Sequence, residues 1–240
     1  MENTKKKTLL KHIVIGILSV IYFYFVTQLS CKLGYVTLSE LDSSNIFKRL
    51  TSDCIFSLVP MVVILLMFRK SLGELAINRN QAVLCMILLG VYLLCFILHG
   101  DFSVAGWYKL FFYIIFVAGF EELWARGLLY LQLKPCGKAA AILISGVLFG
   151  IVHAVVPSVV NGDGLEEMFL SMFSYLGFGL IGGLLFILLL EMSGTIFVPI
   201  FIHAIMDFAP SPLVFFGTLV GTVVWLIFVK IKKTREEKSL

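Results

Sequence analysis

The sequence predicts an all-α fold, a polytopic bundle of about eight transmembrane helices that forms one integral membrane domain over residues 1–240. Three observations predict it. Hydrophobic residues make up 60% of the chain, and the mean hydropathy is +1.00. Charged residues make up only 14%, against roughly 25% in an average soluble domain, too few to cover a water-facing surface. The apolar residues also fall into separate runs near bilayer-crossing length, about 20 residues at 1.5 Å each.

The runs follow in order. Residues 13–29 come after a Lys-rich start and are followed by no small-residue cleavage site, so the segment reads as a retained span and not a signal peptide. Residues 54–68 are short, and their ends are expected to extend into the flanks. Residues 82–98 are apolar throughout. Residues 107–133 are interrupted by Glu121, Glu122 and Arg126. Residues 139–156 carry His153. Residues 168–190 contain Gly177, Gly179, Gly182 and Gly183, formally a GxGxxG pattern. No strand precedes it, so it fails as a nucleotide loop and reads as close helix packing. Residues 195–209, again short, carry His203 and Asp207, and residues 213–229 complete the set.

An even number of spans puts both termini on one side. Lys5, Lys6, Lys7, Lys11, Arg69, Lys70, Arg79, Arg126, Lys134, Lys138, Lys230, Lys232, Lys233, Arg235 and Lys238 then share that side, 15 of the 19 Lys and Arg residues. The positive-inside rule makes it the cytoplasmic face of a cell membrane. The net charge of +4 is thereby explained without nucleic acid. Five cysteines with no CxxC pairing argue against a disulfide framework or zinc knuckle. No soluble domain or internal repeat is visible.

Charge inside a span costs about 2.5–3.5 kcal/mol per group near the helix centre. Glu121, Glu122 and Arg126 sit together against that cost. Two readings are open: the helix ends there at the inner interface, or the charges belong in the membrane. Residues four apart share a helix face, so Glu122 and Arg126 form an ion pair. Glu121 lies about 100° around the helix and is left to face something else, as suits a general base in a low-dielectric cavity. Only four histidines are present. His12 is at a membrane edge and His99 in an outer loop; His153 and His203 are inside spans, and Asp207 shares the face of His203. In straight spans, His153 lies about six residues, or about 9 Å, nearer the outside than Glu121 and His203. Tilt or a shifted helix is needed to bring them together.

Three patterns emerge: EExxxR at Glu121, Glu122 and Arg126, FxxxH at Phe149 and His153, and HxxxD at His203 and Asp207. In this order and spacing they resemble the motifs of the CAAX-protease and bacteriocin-processing family of intramembrane proteases, also called the Abi family. The family's third motif is HxxxN or HxxxD, and Ser193-Gly194-Thr195 also looks like its pattern there. The likeness covers a core of residues 107–208; the first hundred residues carry none.

The resemblance implies an intramembrane endopeptidase acting on a peptide or membrane protein within the lipid bilayer: a leader, bacteriocin-like or signalling peptide, or a lipidated C-terminus. It implies Glu121 as base, His153 orienting water, and His203 with Asp207 facing the developing negative charge. Glu122 and Arg126 would brace the site. An ionised Asp cannot donate to an oxyanion as Asn can, so Asp207 is expected to orient His203 as a charged donor. No cofactor is expected; the rival chemistry is zinc held by Glu121, His153, His203 and Asp207. Two other classes stay open. One is a non-catalytic membrane adaptor regulating a sensor kinase or a secretion or immunity component. The other is a small transporter, against which the lack of an inverted repeat counts.

Overall fold

The computed structural model describes residues 2–238, with side chains described for residues 6–237. Lys5 and Lys238, counted above with the inner cations, lie outside the described side chains. The described residues are helical, with no strand. We number the main helices α1 (Glu2–Lys32), α2 (Ile46–Met67), α3 (Ala82–His99), α4 (Val104–Cys136), α5 (Lys138–Asn161), α6 (Leu165–Ser193), α7 (Phe197–Phe208) and α8 (Pro212–Lys238). Seven of them are long and apolar enough to cross a membrane; α7, with 12 residues, is shorter. The chain is a multi-pass membrane protein. Large apolar side chains such as Leu10, Phe25, Met86, Phe173, Ile181 and Leu213 cover its outside, as a bilayer solvent requires.

Both expected short spans resolve, in opposite ways. Helix α2 extends back to Ile46. Its backbone passes through a π-turn at Cys54–Leu58 just before Pro60, where the missing proline N–H loosens the hydrogen-bond ladder. Helix α7 does not extend. Gly194, at φ 69°, ends α6, and Asn78 Nδ2 donates to the Gly194 carbonyl at 2.8 Å. The Ile196 N–H donates to Ala76 O at 3.0 Å, so the start of α7 is tied to the loop after α2. At the far end Ala209 is extended at φ −69°, ψ 139°, as the residue before Pro210 must be.

Helix α4 runs unbroken through Glu121, Glu122 and Arg126, so the charges do not mark a helix end. It turns into α5 at Gly137, whose φ of 149° excludes a Cβ residue at low cost. This hairpin removes the expected depth mismatch. Glu121 stands sixteen residues before Gly137 and His153 sixteen after it, so the antiparallel helices bring them to one level.

Helices α5 and α6 touch backbone to backbone. A Cβ at Gly179 would meet Gly146 O at 2.3 Å and Gly150 N at 2.5 Å. Gly183 also faces Gly146, while Gly177 and Gly182 have open space. Packing, as expected, accounts for the glycine run, carried by two of its four glycines.

Candidate active site

In α4, two stretches of wide π-winding, Phe112–Gly119 and Leu123–Leu131, flank one α-turn at Phe120–Glu122. That turn carries the two glutamates, which part company. The Glu122 side chain is fully buried, while that of Glu121 is 22% exposed.

Glu122 does two things at once. Its Oε2 lies 3.1 Å from Arg126 Nε, which is the expected ion pair. Its Oε1 lies 2.8 Å from His203 Nδ1, a contact that crosses 81 positions of sequence. A carboxylate only accepts, so Nδ1 carries the proton. The Arg126 contact is close but off-angle: Nε, Nη1 and Nη2 make no hydrogen bond among the described residues. The guanidinium lies between two rings, 4.4 Å from Phe149 and 5.0 Å from Phe186. Cation–π attraction at desolvated sites is worth about 2 kcal/mol. Arg126 is therefore not an orienting charge at the inner face, where the sequence analysis counts it. It belongs to the core of the bundle.

The same two rings hold the histidines. Phe149 lies 4.3 Å from His153, and Phe186 stacks on His203 at 4.8 Å and 20°. The resulting order is imidazole, benzene, guanidinium, benzene, imidazole. His153 Nδ1 is 2.9 Å from the Phe149 carbonyl, an acceptor, so Nδ1 holds the proton and the Nε2 lone pair points away. Pro157, one turn on, has no N–H to give the His153 carbonyl, and both residues line the cleft beside Glu121.

His153 Nε2 and His203 Nε2 lie 3.5 Å and 3.7 Å from Glu121 Oε2, which has no hydrogen-bond partner among the described residues. His203 Nε2 is also 3.5 Å from Asp207 Oδ2. At these separations the polar atoms are in contact without a hydrogen bond. Asp207 thus lies within ion-pairing distance of one ring nitrogen of His203, while Glu122 bonds the other. Among the described residues, no group of three or more His, Cys, Asp or Glu side chains is placed to hold a metal ion.

Glu121 and His153 border a cleft of about 230 Å³, with walls that include Phe23, Phe56, Phe116 and Phe120. At its other end Arg49 and Asp53 pair at 2.7 Å. Arg49, counted from sequence with the outer-side cations, is buried in α2. The structure brings all six expected residues together, but their aromatic surroundings were not foreseen: Phe23 and Phe56 of the cleft and Phe186 beside His203 sit in apolar runs that look like any lipid-facing stretch. His99, expected in a loop, ends α3 and lies 2.9 Å from the Phe208 carbonyl. His12 is buried and bonds the Thr8 carbonyl at 2.8 Å, away from the site.

The family model described as type II CAAX prenyl endopeptidase Rce1-like matches residues 102–209. No curated protein and no solved structure matches the chain. The matched segment runs from the loop before α4 to the residue after α7 and holds Glu121, Glu122, Arg126, His153, His203 and Asp207. Residues 102–209 of this membrane protein thus match the model of an Rce1-like domain of the CAAX-protease family, a family of intramembrane proteases.

Proposed function

We propose that the chain is a cell-membrane endopeptidase that hydrolyses a peptide bond with water activated by Glu121 and His153, without a resident metal. One observation supports this above the rest. The unpartnered Glu121 Oε2 lies within 3.7 Å of two imidazole Nε2 atoms at the end of an apolar cleft. Water seated between Glu121 and His153 gives a proton to Glu121 and adds its oxygen to the carbonyl carbon. The oxyanion faces His203 as the imidazolium, whose Nε2–H donates to it while Nδ1–H is held by Glu122. Glu121 then passes its proton to the amine nitrogen, the C–N bond breaks, and a carboxylic acid and an amine leave, the acid's proton going on to the amine. Donors preorganised at such a charge are worth about 2.7–4 kcal/mol each.

The substrate is a membrane-associated peptide or protein: a leader, a bacteriocin-like or signalling peptide, or a lipidated C-terminus. Both termini face the cytoplasm. The test is a comparison of the membrane proteome of cells carrying the native chain with that of cells carrying Glu121→Gln, expressed to the same level. A fragment that needs the native chain supports the proposal. Full complementation of a deletion by Glu121→Gln would support an adaptor and end the protease reading. Zinc in the purified native chain, with inhibition by chelators, would replace metal-free hydrolysis by a metal mechanism.

A further inference from the structure

A second cavity, of about 380 Å³, meets the site at Asp207. It shares no lining residue with the peptide cleft, and His203 borders neither. Its walls differ in kind from the aromatic cleft: Ser39, His99, Asp101, Lys109, Tyr113 and Asp207 bring polar groups to it. Lys109 Nζ and Asp101 Oδ2, 3.8 Å apart and both partly exposed, hold its rim. The short α7 leaves the room. Its last carbonyl, Phe208 O, is taken by His99, and the chain turns off at Ala209. A helix of full span would fill this space.

We propose that this second cavity is the water port of the hydrolase: water reaches Glu121 past Asp207 while a peptide fills the cleft. The inference rests on the protease reading. Each bond cut consumes one water, whose hydroxyl goes to the acyl carbon and whose hydrogen goes to the amine. A peptide lying against Glu121 and His153 displaces the water of the cleft and closes the way behind it with its own apolar side chains. The next water must come by another route. Asp207 Oδ2, His203 Nε2 and Glu121 Oε2 mark one: a row of polar atoms 3.5 Å and 3.7 Å apart that leads from the cavity to the base, along which small side-chain shifts pass a water from one to the next. The Asp207 side chain is 25% exposed although its neighbour His203 is buried, which places the polar end of the route at Asp207. Asp207 is in this view a positioning residue for incoming water.

The port is tested by labelling Asp207→Cys and His153→Cys, each in the full chain, with a small charged methanethiosulfonate reagent; the native chain with its five cysteines is the blank. Ala209→Trp, which fills the second cavity, should block labelling of Asp207→Cys and spare His153→Cys. Val117→Trp, in the cleft wall, should do the reverse. Lys109→Trp at the rim is a milder plug should Ala209→Trp not fold. On a substrate found by the proteome comparison, Ala209→Trp should lower kcat with KM unchanged, and Val117→Trp should raise KM. The port is overturned if Val117→Trp protects Asp207→Cys, if Asp207→Cys stays unlabelled while the exposed Ser39→Cys reacts, or if plugging leaves kcat unchanged. Labelling needs no turnover, so failure of the port and failure of the protease reading give different results.

Discussion

Two buried ion pairs share one design and differ in one respect. Arg49–Asp53 and Glu122–Arg126 are both four residues apart on a helix, and both guanidiniums lie between two aromatic rings. Arg49 is saturated. Its Nε donates to Asp53 at 2.7 Å, its Nη1 to Tyr35 Oη and Val36 O, and Tyr108 Oη donates to the same Asp53 oxygen. Arg126 makes no hydrogen bond among the described residues, while the second oxygen of its partner Glu122 is taken by His203. A buried unmade bond costs about 1–3 kcal/mol, more for a charge. The bonded pair ties α2 to the loop before it. The unbonded pair shares its carboxylate with an imidazole.

The largest expected effect leaves both pairs intact. Glu121→Gln keeps the shape of the side chain and removes the base, so hydrolysis should fall by about 10²–10⁴-fold with an unchanged melting temperature in detergent. Loss of folding in step with activity would make Glu121 a structural residue like its neighbour. Glu122→Gln comes next. It strands Arg126 and should cost about 3–5 kcal/mol in stability, and more than Asp53→Asn, which leaves Arg49 its bonds to Tyr35 and Val36 and should cost about 1–3 kcal/mol. Equal losses in paired thermal melts would erase the distinction between the pairs. Phe186→Leu removes one ring from Arg126 and from His203 together. A loss of about 2 kcal/mol or more measured by denaturation should shrink in an Arg126→Met background, where the guanidinium is gone and only packing and the His203 contact remain. The smallest effect is expected at Asp207→Asn. It belongs to neither pair and should keep native stability and substantial activity; joint loss of activity and bound metal would identify Asp207 as a ligand.

Much of the site was legible because helical spacing is a local rule. Glu122 and Arg126 meet as four-residue neighbours, and Phe149 stacks on His153 for the same reason. The His203–Glu122 contact was not legible, since no periodicity links positions on two separate helices. The positive-inside count places Arg49 and Arg126 among charges at the membrane faces, yet both are buried in the bundle. Arg49 and Arg126 read as loop and interface cations because a one-dimensional count cannot see the rings that cover them. The first hundred residues carry no motif, yet Phe23, Phe56 and Arg49 line the cleft. Their role depends on packing against α4 and leaves no trace in composition. The short α7 was foreseen as a short run but expected to lengthen, because hydropathy reports length and not the tether from Ala76 to Ile196.

The hairpin at Gly137 has a consequence for how this chain can vary. Because Glu121 and His153 are counted out equally from that turn, the spacing behaves as a gauge that tolerates exchange of residues but not their gain or loss. One residue inserted between Glu121 and Gly137 turns the carboxylate by about 100° and shifts it by about 1.5 Å, away from both imidazoles. Lengthening the loop between α5 and α6 leaves that count untouched, so fusion tags and epitopes belong there.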